Sequence, residues 1–227
     1  MNPEVTLAVG GIQALTALAD GTFIAIWNAP GNIPTAQIYN SDGTKKGTSF
    51  ALAPGASGEN INFTATSLSD GRFVVVWQQK AAKDAVYAKV FETNGASVSD
   101  AFKIASGDVD QTLPQVTAIA NGGFVVATIN AGAATVVRVD GDGTMTNALS
   151  IQDNALGVSI TALKDGNLAA FVDVGGGRQP RHDGLYFERR WRGRWIWRGL
   201  FRHCRYRSSI SQSRQSRRWQ LRSYVGC

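Results

Sequence analysis

Two carboxylates one residue apart, in the run Asp140-Gly141-Asp142-Gly143, are the best-placed metal donors in this sequence. Calcium is a hard cation that collects about six to eight oxygen ligands, so a close acid pair on a glycine-rich turn is a starting set for Ca²⁺. The same residues also suit a plain turn, where Asp caps its own backbone and Gly takes a positive φ. The corresponding turns, Ser41-Asp42-Gly43 and Thr93-Asn94-Gly95, do not keep both acids. Calcium at Asp140 and Asp142 is the one cofactor the residues suggest, and the turn reading competes with it. No catalytic set accompanies the pair. Residues 1–177 contain no His and no Cys, which excludes Ser-His-Asp, Cys-His and His-ligated zinc chemistry there. Gly175-Gly176-Gly177 lacks the Lys and the helix of a phosphate loop. The expectation is a chain with no catalytic and no cofactor-binding residue.

His182, His203, Cys204 and Cys227 all fall in the last fifty residues, which differ sharply from the rest. Of the 23 Lys and Arg residues, 14 lie from Arg178 onward, all of them Arg, against 2 of the 17 acids. Four of the 6 Trp lie there too. The formal charge of +6 therefore joins an acidic body to a strongly basic tail.

The acids Asp20 and Asp70 recur at one place in a repeat, so they read as structure. The stretch LTALADGTFIAIW beginning at Leu15 returns as TATSLSDGRFVVVW from Thr64, VTAIANGGFVVAT from Val116 and ITALKDGNLAAF from Ile160. The turn glycines Gly21, Gly71, Gly122 and Gly166 are 50, 51 and 44 residues apart. A second turn keeps step at Gly43, Gly95 and Gly143. Three full copies and the start of a fourth are present.

Each copy reads as four short strands, because Asp-Gly or Asn-Gly between apolar runs is a strong hairpin signal. Phe73-Val-Val-Val-Trp77 is apolar on both faces, as a strand buried on both sides must be. A repeated four-stranded unit of this length is the pattern of a β-propeller blade. The fold class is all-β: repeated four-stranded antiparallel units forming an incomplete propeller, with a β-solenoid or stacked sandwich as the alternative. Trp27 and Trp77 lie six residues beyond their turn glycines, at strand ends where core packing is their role.

The repeats resemble a family: tandem repeats of about 50 residues in very large secreted or surface bacterial proteins. The matching core spans residues 18–27 and 68–77, and the second turn matches at residues 39–43, 91–95 and 139–143. Such proteins are grouped with the RTX, hemolysin-type calcium-binding proteins exported by type I secretion. The likeness covers residues 10–177. It implies an extracellular or cell-surface parent and a structural, adhesive or ligand-binding role. The Gly-Gly-x-Gly-x-Asp calcium repeat is absent from this sequence, and Trp is replaced in the third and fourth copies, at Thr128 and Val172.

The domain division that follows is residues 1–177 as the repeat region and 178–227 as an Arg/Trp-rich tail, disordered or irregular. Three readings of the tail compete: an arm for nucleic acid, stacking bases and neutralising phosphates; an interfacial membrane segment; and out-of-frame translation. Read one nucleotide forward, each Trp codon becomes Gly. Position 191 then lies 48 residues after Gly143, and position 219 lies 53 after Gly166, close to the repeat spacing. On that reading the tail has no evolved function, and the fourth unit lacks its outer strands. Its exposed strand edges would drive self-association or aggregation.

The start of the chain lacks the basic and apolar stretches of a secretory signal. No apolar run reaches membrane-spanning length. The function expected is a non-catalytic repeat module of a large secreted or surface protein. Its partner would be a cell-surface glycan or protein, contacted through the loops at residues 29–34, 55–60 and 106–112. A glycan-binding or enzymatic propeller is the second reading, and nucleic-acid or membrane binding through the basic tail the third.

Overall fold

The computed structural model describes residues 11–53, 59–104, 109–146 and 148–175, and the backbone of two further strands, Arg181–Trp191 and Arg194–Leu200. Among these residues the secondary structure is entirely β. Sixteen strands form four antiparallel sheets, each built in chain order. The first sheet holds β1 (Ile12–Ala17), β2 (Phe23–Ala29), β3 (Ile33–Tyr39) and β4 (Lys45–Ala51); the second β5 (Asn60–Ser67), β6 (Phe73–Gln79), β7 (Ala85–Phe91) and β8 (Phe102–Lys103). The third holds β9 (Gln111–Ala118), β10 (Phe124–Asn130), β11 (Ala133–Val139) and β12 (Leu149–Gln152); the fourth β13 (Ala155–Ala162), β14 (Leu168–Val174), β15 (Arg181–Trp191) and β16 (Arg194–Leu200). Successive sheets meet at their first strands, β1 beside β5, β5 beside β9 and β9 beside β13. This is the stacking of propeller blades, as the repeat predicts.

The second strand of each blade shows why the sequence is apolar on both faces. Phe73, Val75 and Trp77 of β6 pack toward blade one, with Ile24 and Ile26. Val74 and Val76, the alternate residues, pack toward blade three, with Phe124 and Val126. Val125 and Ala127 then face blade four, against Leu168, Ala170 and Val172. Phe73 through Val76 are 0% exposed. A strand inside a stack belongs to two cores at once, and period-two alternation sorts its side chains between them. Trp77 is buried beside Tyr87, as core packing requires, whereas Trp27, on the outward side of blade one, is half-buried.

Phe73 and Phe91 stack at 5.3 Å, and Phe50 of blade one leans onto Phe91 at 5.7 Å. A Cβ at Gly95 would lie 2.6 Å from the Phe50 ring, so this turn needs glycine for space as well as for its φ of 86°.

The fourth strand of blade two is short, the pair Phe102–Lys103, with a separate bridge from Phe91 to Ser97. One expectation changes. The fourth blade does not lack outer strands. β15 pairs with β14 in register Leu168 to Glu188, and β16 pairs with β15 in register Leu185 to Leu200. Ladder hydrogen bonds join backbones, so an open edge such as β14 accepts any extended segment. Trp, Tyr, Phe and Ile in this stretch favour extension. His182 lies on β15, where only the backbone is described; His203, Cys204, Trp219 and Cys227 lie outside the described residues.

Candidate functional site

The first-to-second and third-to-fourth strand turns of every blade lie at one end of the stack, since strands alternate in direction. At that end the repeating acids serve their own turns. Asp42 accepts from the Thr44 amide at 2.9 Å and hydroxyl at 2.6 Å. Asp20 does the same for the Thr22 amide, at 3.1 Å, and for its hydroxyl. Asp70 accepts from the Arg72 amide at 3.1 Å, and Asp165 from the Asn167 amide at 3.0 Å. The carboxylate thus stands in for a backbone acceptor two residues on, the Asx turn that makes Asp a turn former. Hydrogen bonds to the charged form lower a carboxyl pKa. Lys46, followed by Thr22, holds Asp20 down to about 2. Arg72 lowers Asp70, and Thr44 lowers Asp42.

Asp140 and Asp142 share one turn but have different partners. Asp142 accepts from the Thr144 amide at 2.9 Å, and that bond lowers its pKa. Asp140 accepts from Arg138 Nε at 2.7 Å. Among the described residues, no group of three or more His, Cys, Asp or Glu gathers as a metal site.

Blade three breaks the turn pattern. In blades one and two the turn closes from Gly21 N to Leu18 O and from Gly71 N to Leu68 O. In blade three it closes one residue later, from Gly123 N to Ala120 O at 3.4 Å. Asn121 and Gly122 both take positive φ, 62° and 72°, the backbone of a primed hairpin turn, which favours Asn-Gly. Asn stands here where the other three blades have Asp. It tolerates the left-handed region and carries no charge.

The seams on either side of this turn differ. Between blades two and three, Ser69 accepts from Gly122 N at 2.8 Å and donates to Ile119 O at 3.2 Å. Arg72, held at Nε by Asp70 at 2.7 Å, reaches across to Gly141 O at 3.3 Å. The approach is so close that a Cβ on Gly122 would sit 2.2 Å from Asp70 Oδ2. Between blades three and four, Gly123 stands in the column of Arg72, and Thr117 Oγ1 accepts from Ala162 N at 3.1 Å across the seam. A cavity of about 960 Å³ opens at this end, bounded by blades two, three and four. Leu68, Ile119 and Leu163 are its main apolar lining; Ser67, Asn121, Arg138, Lys164 and the Asp165–Asn167 pair are polar. The Ser67 Oγ is buried and has no hydrogen-bond partner among the described residues.

Of the loops expected to form a contact surface, residues 29–34, 59–60 and 109–112 are described and lie at the other end; 55–58 and 106–108 lie outside the described residues. At that end Asn62 Nδ2 donates to Gln78 Oε1 at 2.7 Å, and Gln78 Nε2 donates to Asp84 Oδ2 at 2.6 Å. Asp110 accepts from Asp84 N at 3.0 Å. Gln78 Oε1 also accepts from Leu113 N at 3.2 Å, so the Asp84 and Leu113 amides tie blade two to the start of blade three. Of the sequence-chosen pair, Asp140 borders the cavity, and Asp142 is not part of its lining. Ser67, Asn121, Arg138 and Lys164 were not singled out from sequence.

No protein-family model matches this sequence, and no curated protein matches it. Solved structures do resemble it. A protein of unknown function from Bacteroides caccae aligns at TM-score 0.53 and 16% identity, over 84% of this chain and 60% of that one. A Hadza microbial sialidase aligns at TM-score 0.57 and 12% identity, over 85% and 46%. A streptogramin B lyase aligns at TM-score 0.51 and 13% identity, over 78% and 62%. The chain therefore spans about half to three-fifths of these structures. At such identities the likeness is one of fold: an all-β, propeller-like stack of four-stranded sheets.

Proposed function

We propose that the chain is a non-catalytic propeller module of a large secreted or cell-surface bacterial protein, which holds a cell-surface glycan or protein. The observation that carries this reading is the use of the repeating carboxylates. Asp20, Asp42, Asp70, Asp142 and Asp165 each cap the turn that contains them, which leaves them architectural. A Ca²⁺ at Asp140 and Asp142 would compete with the contacts that Arg138 and Thr144 already make. The export-linked repeat resemblance supports the extracellular setting. Among the described residues no helix is long and apolar enough to cross a membrane. Residues 178–227 are proposed to be out-of-frame translation; backbone pairing of β15 and β16 is compatible with that origin.

An enzymatic propeller is the second reading, favoured by sialidase and lyase names among the structural neighbours. One experiment separates the two. The full chain is incubated with fluorogenic sialosides, galactosides and arabinofuranosides, with and without calcium chloride. Release no faster than buffer is the expected outcome. Turnover that scales with protein concentration would make the chain an enzyme.

A further inference from the structure

We propose that the cavity bounded by blades two, three and four is a binding site for an uncharged carbohydrate of a few sugar units; this deepens the binding-module reading above. Its size, about 960 Å³, is at the upper end of the roughly 300–1,000 Å³ typical of ligand pockets. Its wall joins three blades, with Ser67 and Leu68 from blade two, Ile119 and Asn121 from blade three, and Leu163 and Lys164 from blade four.

The lining selects the ligand. Arg138 is matched through Nε by Asp140 at 2.7 Å, which neutralises the charge an anion would meet there. Lys164 and Asp165 add one charge of each sign, which leaves the wall balanced. Lys164 has no ion pair among the described residues, and Asn121 presents an exposed carboxamide. Leu68, Ile119 and Leu163 supply apolar surface between these groups. Hydroxyl edges and C–H faces on one neutral molecule are what such a wall complements, and that combination is a sugar.

The test is calorimetric titration of the full chain with maltotriose, cellotriose, xylotriose and N,N′,N″-triacetylchitotriose, with inorganic phosphate as the anionic probe. At least one trisaccharide should bind with Kd of roughly 10 µM to 1 mM, and phosphate should not. The double variant Lys164→Ala with Asn121→Gly should weaken that binding at least tenfold. Gly is chosen at position 121 because it keeps the left-handed backbone. Lys83→Ala, in the loop at the opposite end, should leave binding unchanged, and circular dichroism confirms that each variant is folded. Silence from all four trisaccharides, preference for phosphate, or binding that survives the double variant would overturn the site. Chromatography of the trisaccharide after titration keeps the two readings apart. Cleavage would end the non-catalytic reading and leave the site standing, whereas absence of binding would remove the site and leave the scaffold reading intact.

Discussion

The seam between blades two and three and the seam between blades three and four begin from the same repeat and end differently. The first is closed at its turn end: Asp70, Arg72 and Ser69 reach Gly122, Gly141 and Ile119 across the gap. The second keeps an apolar core of the same kind, Leu168, Ala170 and Val172 against Val125 and Ala127, and is crossed by Thr117, which accepts from Ala162 N at 3.1 Å. Arg72 in one blade and Gly123 in the next mark the change from a charged tie to a neutral one. In a repeat fold the core is set by residues that recur, and neighbouring seams differ where one of them does not.

The largest test of this contrast is to empty each core by one side chain. Phe124→Ala should cost about 3–5 kcal/mol, since Phe124 is 2% exposed in a filled seam. Leu168→Ala should lie near the bottom of the roughly 2–5 kcal/mol range for such changes, because Leu168 already borders the cavity and loses fewer contacts. Urea denaturation of both variants measures the gap. Equal losses would mean that the cavity does not loosen the packing of blade four.

A smaller difference separates two turn glycines. Gly166 has a φ of 79° and open space where a Cβ would go, so Gly166→Ala carries only the left-handed strain of about 1–2 kcal/mol. Gly122→Ala carries the same strain and also crowds the Asp70 carboxylate, an overpacking loss of about 1 kcal/mol or more. Thermal midpoints should therefore fall further for Gly122→Ala. The reverse order would show that the seam between blades two and three is not held by this close approach.

Much of the architecture was legible before any coordinates. The forced glycines, the Asp-Gly turns and a strand apolar on both faces are local signals with one physical solution each, and Gly71, Asp70 and residues 73–77 sit as the repeat predicts. The end of the fourth blade was not legible, because pairing of β15 depends on an open backbone edge and not on a side-chain pattern. The cavity was not legible either. Its wall comes from three blades whose residues are up to a hundred positions apart. Asp140 and Asp142 drew attention as neighbours in sequence, but their partners, Arg138 and Thr144, make the pair two separate contacts.

The smallest predicted effect uses acid to act on one seam alone. Arg72 lowers the pKa of Asp70, so the folded carboxyl releases its proton more readily than the unfolded one. The linked stability is complete above the ordinary carboxylate value of 3.8 and is lost as pH falls below it. Asp70 is partly exposed, and such a pair contributes less than about 1 kcal/mol. The seam between blades three and four has Asn121 at the corresponding place, with no proton to take up. Asp70→Asn keeps the turn cap and removes the titration, so its thermal midpoint should fall less steeply than that of the parent between pH 5 and about pH 2.5. Asp20, lowered further to about 2 by Lys46, leaves a residual slope in both proteins. A parallel pair of curves would show that the Arg72 bridge is held by packing and not by charge, and the contrast between the seams would then rest on shape alone.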